Sequence, residues 1–196
     1  PAATRTQWDF ANPAQTWRAD PDLPGSLTSG PVRIPVGERF WVAVEMSARR
    51  GQSGYVRWVS SEHPGLNERR FPLRPDGLMH VYNVDMAGSR QWSGELLLLG
   101  LTPSATEGDE VQVRRVTIAQ EPLGPADVSV TWAGLEDAIN RAGRPAPLLL
   151  VLSNAGGEPA RDLRIADLQL PAGVGVVSEG DWRALPVVPP CARARH

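Results

Sequence analysis

Catalysis needs nucleophiles, paired titratable groups or metal ligands. This 196-residue chain carries one cysteine and three histidines beside 22 acids and 20 cationic residues. A cysteine nucleophile needs a base close by. Cys191 lies in "PPCARARH", whereas His63 and His80 belong to the other half of the chain and His196 is the last residue. Cys191 therefore reads as an ordinary thiol in a frayed tail, and a lone cysteine excludes an internal disulfide. The sequence has no G-x-S-x-G elbow, no phosphate-cradling Gly-rich loop and no H-E-x-x-H pair. Three histidines do not make a His-rich metal site. The densest acid cluster is "EGDE" at 107–110. A glycosidase sets two carboxyl groups across a cleft, and this short Gly-containing run reads instead as a solvated turn. The expectation is a chain without catalysis of its own.

Reversible recognition needs different residues. Sugars stack their C–H faces on flat rings and offer hydroxyls to planar partners such as arginine. The chain has seven tryptophans against 3 Phe and 2 Tyr. Trp17 falls in the polar stretch "NPAQTWRADPD", beside Arg18 and Asp20, where a ligand or interface role is expected. Trp58 alternates with Arg57 and precedes the polar loop "SSEHPGLNERR". His80 and Tyr82 share one side of a neighbouring strand. If these strands form a concave sheet, Trp58, Arg70, His80 and Tyr82 line one groove, with Trp17 and Arg18 in the adjoining loop. The competing reading is structural. Large aromatics are usually buried, so Trp8, Trp41 and Trp92 are expected to fill a core or plug a turn. Trp132 and Trp182 belong to the second half, Trp58 is open between core and ligand, and His80 reads as a structural histidine. The exposure of Trp17, Trp58 and Tyr82 decides between a binding surface and a spacer with no ligand.

These side chains must be held by strands. "RFWVAVEMSA" (39–48) alternates Phe40, Val42, Val44 and Met46 against Trp41, Ala43 and Glu45. "GYVRWVSSE" (54–62) sets Val56 and Trp58 against Tyr55, Arg57 and Val59. "RPDG" separates two further strands, with Pro75 presetting φ and Gly77 tolerating a positive one. "EVQVRRVTIAQ" (110–120) points Val111, Val113 and Ile118 inward, and its Arg114–Arg115 pair marks a bulge or register change. Nineteen Gly and 19 Pro are scattered as punctuation. Short strands with frequent turns and no helical period imply an antiparallel sandwich or barrel.

The break comes at "QEPLGPADVSV", giving a first domain over 1–121, a linker over 122–126 and a second domain over 127–196. In the second, "DVSVTW", "APLLLVLSN", "RDLRIADLQLP", "GVGVVS" and "DWRALPVV" read as strands, and "GLEDAINRAG" (134–143) has helix-like spacing. In "SNAGGEPA", Asn154 and the Gly156–Gly157 pair are candidates for left-handed backbone. A net charge of −2 gives no sign of nucleic-acid or anionic-membrane binding. All the cationic residues are arginine, which points to a GC-rich genome. The longest apolar runs, "LLLLGL" and "PLLLVL", fall short of the ~20 residues of a membrane helix, and the first residues lack the pattern of a signal peptide.

In order and spacing, "WDF", "TW", "VRWVSSE", "FPLRPDGLMHVYNVDM", "QWSGELLLLGLTP" and "GDEVQVRRVTIA" resemble galactose-binding-like jelly-roll domains, over residues 7 to 120. "NRAGRPAPLLLVLSNAGGEPARDLRIADLQLPAGVGVVSE" resembles immunoglobulin-like modules found beside carbohydrate-binding domains. A full sandwich of that type needs about seven strands, so the second module reads as one hairpin short. The resemblance implies an all-β chain: an N-terminal jelly roll followed by a partial immunoglobulin-like sandwich. It further implies a non-catalytic, carbohydrate-binding accessory region of a larger secreted bacterial protein, attached to a polysaccharide-acting hydrolase. The partners it implies are a glycan and further domains of the same polypeptide. Jelly rolls of this class often hold a structural Ca²⁺ near the ends of their first and last strands. Asp9, Asp20, Asp22 and Asp109 are the oxygen donors available for one, although no loop has regular acidic spacing and turn-capping is the favoured role.

Overall fold

Alternation of apolar and polar residues, legible along most of the first 120 positions, becomes two facing sheets in the computed structural model, which describes residues 5–15, 17–133, 149–166 and 184–195. The chain divides into two units, Pro1–Leu123 and Gly124–His196. The first contains β1 (Thr6–Asp9), β2 (Arg18–Ala19), β3 (Leu27–Pro35), β4 (Trp41–Ser47), β5 (Ser53–Ser60), β6 (Asn67–Pro72), β7 (His80–Asp85), β8 (Glu95–Thr102) and β9 (Gln112–Ala119). A four-stranded sheet runs β1-β9-β4-β7 and a five-stranded sheet runs β2-β3-β8-β5-β6. Every pairing is antiparallel. The chain is all-β, with no helix among the described residues.

The inner faces supply the core. Val42, Val44 and Met46 of β4 meet Val56 and Trp58 of β5, with Leu96, Leu99 and Leu101 of β8 and Ile118 of β9. Leu96, Leu99 and Ile118 are fully buried. Removing about 25 cal/mol per Å² of apolar surface from water is what holds two such sheets face to face. The expected bulge exists: register shifts between Glu45 and Met46, so that Arg115 opposes Glu45 while Val113 opposes Met46, leaving Arg114 as the extra residue. Gly77 takes the positive φ of 75° expected for the "RPDG" turn. Beyond β9, the Asn83 side chain imitates a strand partner for the outgoing chain. Its Nδ2 donates to Leu123 O at 2.9 Å and its Oδ1 accepts from Leu123 N at 2.8 Å.

The second unit contains β10 (Val128–Ala133), β11 (Leu149–Asn154) and β12 (Ala192–Arg195), in the order β10-β11-β12. Its core is Leu150, Leu152, Ala160 and Val188, with Val128, Leu163, Ile165 and Leu185 packed against them. Isolated antiparallel bridges Ala160↔Val188 and Arg164↔Ala184 join the residue before "RDLRIADLQLP" and that segment to "DWRALPVV", and among the described residues neither segment, expected as a strand, forms one. "GLEDAINRAG", "GVGVVS" and Trp182 lie outside the described residues.

Two expectations for this unit are corrected. The tail read as frayed is β12, which pairs Ala192–Arg195 along β11. The period of two was present in "ARAR", but alanine has low strand preference and hid it. In "SNAGGEPA" neither Asn154 nor Gly156 nor Gly157 has positive φ; Gly124, Asp162 and Cys191 do. Gly156 is required for space instead, because a methyl there would overlap the Pro125 carbonyl oxygen and crowd the Asp127 nitrogen.

Candidate ligand-binding face

The groove expected from Trp58, Arg70, His80 and Tyr82 is not formed. The reason is topological: β6 closes one sheet while β7, next in sequence, belongs to the other. Trp58, His80 and Tyr82 thus point between the sheets, and Arg70 points out of them. Trp17, Trp58 and Tyr82 are 5%, 1% and 9% exposed, so none offers a ring face to a sugar. Trp17 packs edge-on to Trp8 with ring centroids 5.3 Å apart, and its buried Nε1 has no hydrogen-bond partner. Packing is its contribution. Trp58 donates from Nε1 to Gln91 O at 3.0 Å, and Arg74 N donates to the Tyr82 hydroxyl at 3.2 Å. His80 Nε2 lies 2.9 Å from Asp76 Oδ2. The Leu78 N–H, joined by His80 and opposed by slight burial, holds the Asp76 carboxyl below its ordinary 3.8. His80 is thus a structural histidine, as its competing reading had it. Trp92 plugs its turn, donating from Nε1 to Arg39 O at 2.8 Å.

Of the carboxylates considered for a cation, those of Asp9, Asp20 and Asp109 each accept from backbone N–H groups. Among the described residues no group of three or more His, Cys, Asp or Glu side chains converges on a metal position. Asp9 Oδ1 accepts from Ala11 N at 3.0 Å, and Asp20 Oδ1 from Asp22 N at 3.0 Å. Both are turn locks. Asp109 corrects the reading of "EGDE" as merely solvated. Its Oδ1 accepts from Arg49 N at 3.0 Å and Arg50 N at 2.9 Å, and its Oδ2 from Gly51 N at 2.8 Å. Burial is the largest single influence on this carboxyl and pushes its pKa up. The Ser104 hydroxyl and the three backbone N–H groups together outweigh it and hold the pKa below 3.8. Gly51 is part of the same lock, since a methyl there would collide with Ser104 Oγ and Asp109 Oδ2.

A depressed carboxyl pKa stabilises the fold above the unfolded value, about 3.9, and that stability is lost as pH falls through the folded value. Asp109→Asn keeps one acceptor but sets an NH2 group against the Gly51 N–H. It is expected to cost about 2 kcal/mol at pH 7. Urea midpoints measured from pH 6 to pH 2 should show the gap from the parent narrowing below pH 4. A gap independent of pH would show that the carboxylate charge plays no part.

Side chains do converge on the outward face of the five-stranded sheet. Register aligns Arg18 with Thr28, Thr28 with Gly100, Gly100 with Arg57, and Arg57 with Glu68, one row crossing every strand. In the next row Thr102 opposes Tyr55, and Tyr55 opposes Arg70. Arg57 organises this surface. From β5 it reaches across β8, where Gly100 has no side chain to block it, and Nη1 donates to Ser26 Oγ at 2.8 Å and to Thr102 Oγ1. Its Nε lies 3.3 Å from Glu68 Oε2, and its guanidinium sits 5.6 Å from the Tyr55 ring centroid. Ser26 and Thr102, themselves 2.6 Å apart, are covered by this arrangement. Strand alternation alone puts Tyr55 and Arg57 on one face and Glu68 and Arg70 on another. Only the strand order makes the two faces one surface and adds Arg18 to it.

The chain matches no protein-family model and no curated protein sequence. Among solved structures it is distantly similar to a family two carbohydrate esterase from Cellvibrio japonicus, at 16% identity and a TM-score of 0.33. That likeness covers 60% of this chain and 34% of the esterase, so the chain spans about a third of that protein's length. At such a TM-score it carries no argument about function.

Proposed function

We propose that this chain is a non-catalytic, glycan-binding accessory region of a longer secreted bacterial protein, acting beside a polysaccharide-active catalytic domain. One observation carries the reading: the outward face of the five-stranded sheet, where the fixed Arg57 guanidinium, the Tyr55 ring and the exposed Arg18 and Arg70 lie on one surface. Planar donors fixed beside a flat ring are the groups that recognise sugar hydroxyls and C–H faces. The resemblance in residue order to galactose-binding-like jelly rolls supports the attachment to a hydrolase and the extracytoplasmic setting. Binding at such an open surface is weak, in the micromolar to millimolar range, on the order of −4 to −8 kcal/mol.

A spacer with no ligand is the second reading, favoured by the burial of Trp17, Trp58 and Tyr82. Affinity electrophoresis of the full chain through gels containing soluble polysaccharides, neutral and charged, separates the two. Retardation in at least one gel, reduced by Tyr55→Ala in a folded protein, is the expected result. Unchanged mobility across the panel would leave the spacer. Repeating the run with EDTA tests for a cation, and retardation abolished by EDTA would move the binding site away from the arginine face.

A further inference from the structure

We infer that the glycan recognised by this face is acidic, its sugars carrying carboxylates. The inference rests on the glycan-binding reading above and adds the ligand's charge. Three guanidinium groups share the surface. Arg57 is held from three sides, by Glu68 at Nε and by Ser26 and Thr102 at Nη1, and its side chain is only 16% exposed. With Nε and Nη1 committed, its two Nη2 hydrogens have no protein acceptor among the described residues. Arg70, exposed on the adjacent strand, and Arg18, exposed three strands away, make no ion pair or side-chain hydrogen bond there either. Strands lie about 4.8 Å apart, so Arg18 and Arg57 are separated by roughly 14 Å, the reach of an extended chain of several sugars. Of the carboxylates nearby, Glu68 is spent on Arg57 and Asp20 on its own turn.

The fixed and the free guanidiniums have different tasks. A guanidinium already immobilised gives up less freedom on binding, and Arg57 keeps its two Nη2 hydrogens as single donors to carboxylate oxygens, while Arg18 and Arg70 keep the two parallel N–H donors that pair with a whole carboxylate. Arg57 is the anchor, and Arg18 and Arg70 add attraction at either side. Neutral hydroxyls would leave the Coulombic attraction of those two cations unused, whereas a polyuronate engages all three.

The test uses the full chain and three polysaccharides: polygalacturonate, its methyl-esterified form, and a sulfated neutral-backbone glycan. Retardation by polygalacturonate in 0.15 M salt, at least tenfold stronger than by the esterified form, is expected. Arg18→Gln and Arg70→Gln, which disturb no internal contact, should each weaken it several-fold. Arg57→Lys, which keeps the charge but not the fixed Nη2 donors, should weaken it about tenfold, with thermal unfolding run alongside to confirm the fold. Equal retardation by the esterified form would overturn the acidic assignment while leaving glycan binding intact. Retardation by the sulfated glycan alone would overturn the carboxylate. Binding to polygalacturonate that survives Arg18→Gln and Arg70→Gln would overturn this face as the site. No retardation by any of the three, together with none in the wider panel, would remove glycan binding itself.

Discussion

Asn154→Ala is expected to destabilise the C-terminal unit by about 3–5 kcal/mol, a large share of what a domain of this size has. The side chain is 2% exposed and ties three stretches of chain together. Its Oδ1 accepts from Asp127 N and Gly156 N, both at 3.0 Å, at the entry to β10 and in the loop after β11. Its Nδ2 faces the carbonyls of Glu158 at 2.7 Å and of Val188 and Pro189 at 3.2 Å. Alanine would leave two N–H groups and these carbonyls without their partner. Each buried polar group so orphaned costs about 1–3 kcal/mol. Relaxation is restricted on one side, because Gly156 already lies too close to Pro125 for even a methyl group. Asn154→Asp tests the donor half separately. A carboxylate still accepts from the two N–H groups but sets negative charge against three carbonyl oxygens, so at neutral pH it should be no better than alanine. Hydrogen exchange resolved by peptide is the measurement. Protection in β10–β12 should fall at least a hundredfold while β4, β5 and β8 keep theirs. Unchanged protection in β11 would show that the amide is incidental.

Alternation made β5 and β6 the most legible strands of the first unit, whereas β4, β8 and β9 are buried on both faces over part of their length. Val42, Val44, Met46 and Val56 were identifiable as one-sided from alternation and are buried, as is Trp58, which alternation left open between core and ligand, whereas Phe40, read on the same face as Val42, is exposed. The bulge at Arg114–Arg115 was visible as two charges breaking an apolar alternation. Sheet membership was not legible. Period two tells which residues share a face of a strand, not which sheet the strand joins, and β6 and β7 look like a hairpin until the order is known. That ambiguity put His80 and Tyr82 beside Arg70, and a separate error of facing grouped Trp58 with Arg70, which point to opposite sides of one sheet. The ambiguity of sheet membership also concealed the register row that places Arg18 and Arg57 on one surface, since β2 and β5 are far apart in sequence. Trp17 failed for a different reason. A polar stretch around an aromatic suggested exposure, yet the ring turns in to fill the end of the core against Trp8 and Phe10. Asp109 shows the same limit: its three N–H donors lie some sixty positions upstream, and no local pattern announces such a lock.

Trp58→Ala, the substitution that would test Trp58 as a sugar platform, is therefore expected to act on folding. The ring is 1% exposed and packs edge-on against Trp92, with centroids 5.5 Å apart and planes inclined by 78°. Truncating a buried tryptophan costs about 3–5 kcal/mol through lost burial and the cavity left behind. A second loss comes from the Gln91 carbonyl, which accepts from Trp58 Nε1 at 3.0 Å and from Ser60 Oγ at 3.2 Å. With the indole gone, only the hydroxyl remains to hold the turn that carries Trp92. Melting of the N-terminal unit should fall by on the order of 10–20 °C. Trp58→Phe separates the two contributions. It retains most of the apolar volume and forfeits the N–H bond, so about 1–2 kcal/mol should be lost. Differential scanning calorimetry of both variants decides the matter when paired with gel retardation by polysaccharide. If Trp58 is core, the phenylalanine variant is less stable and still binds. A phenylalanine or alanine variant that melted within a degree or two of the parent yet no longer bound would return this ring to the ligand, and with it the inner face that the sandwich closes.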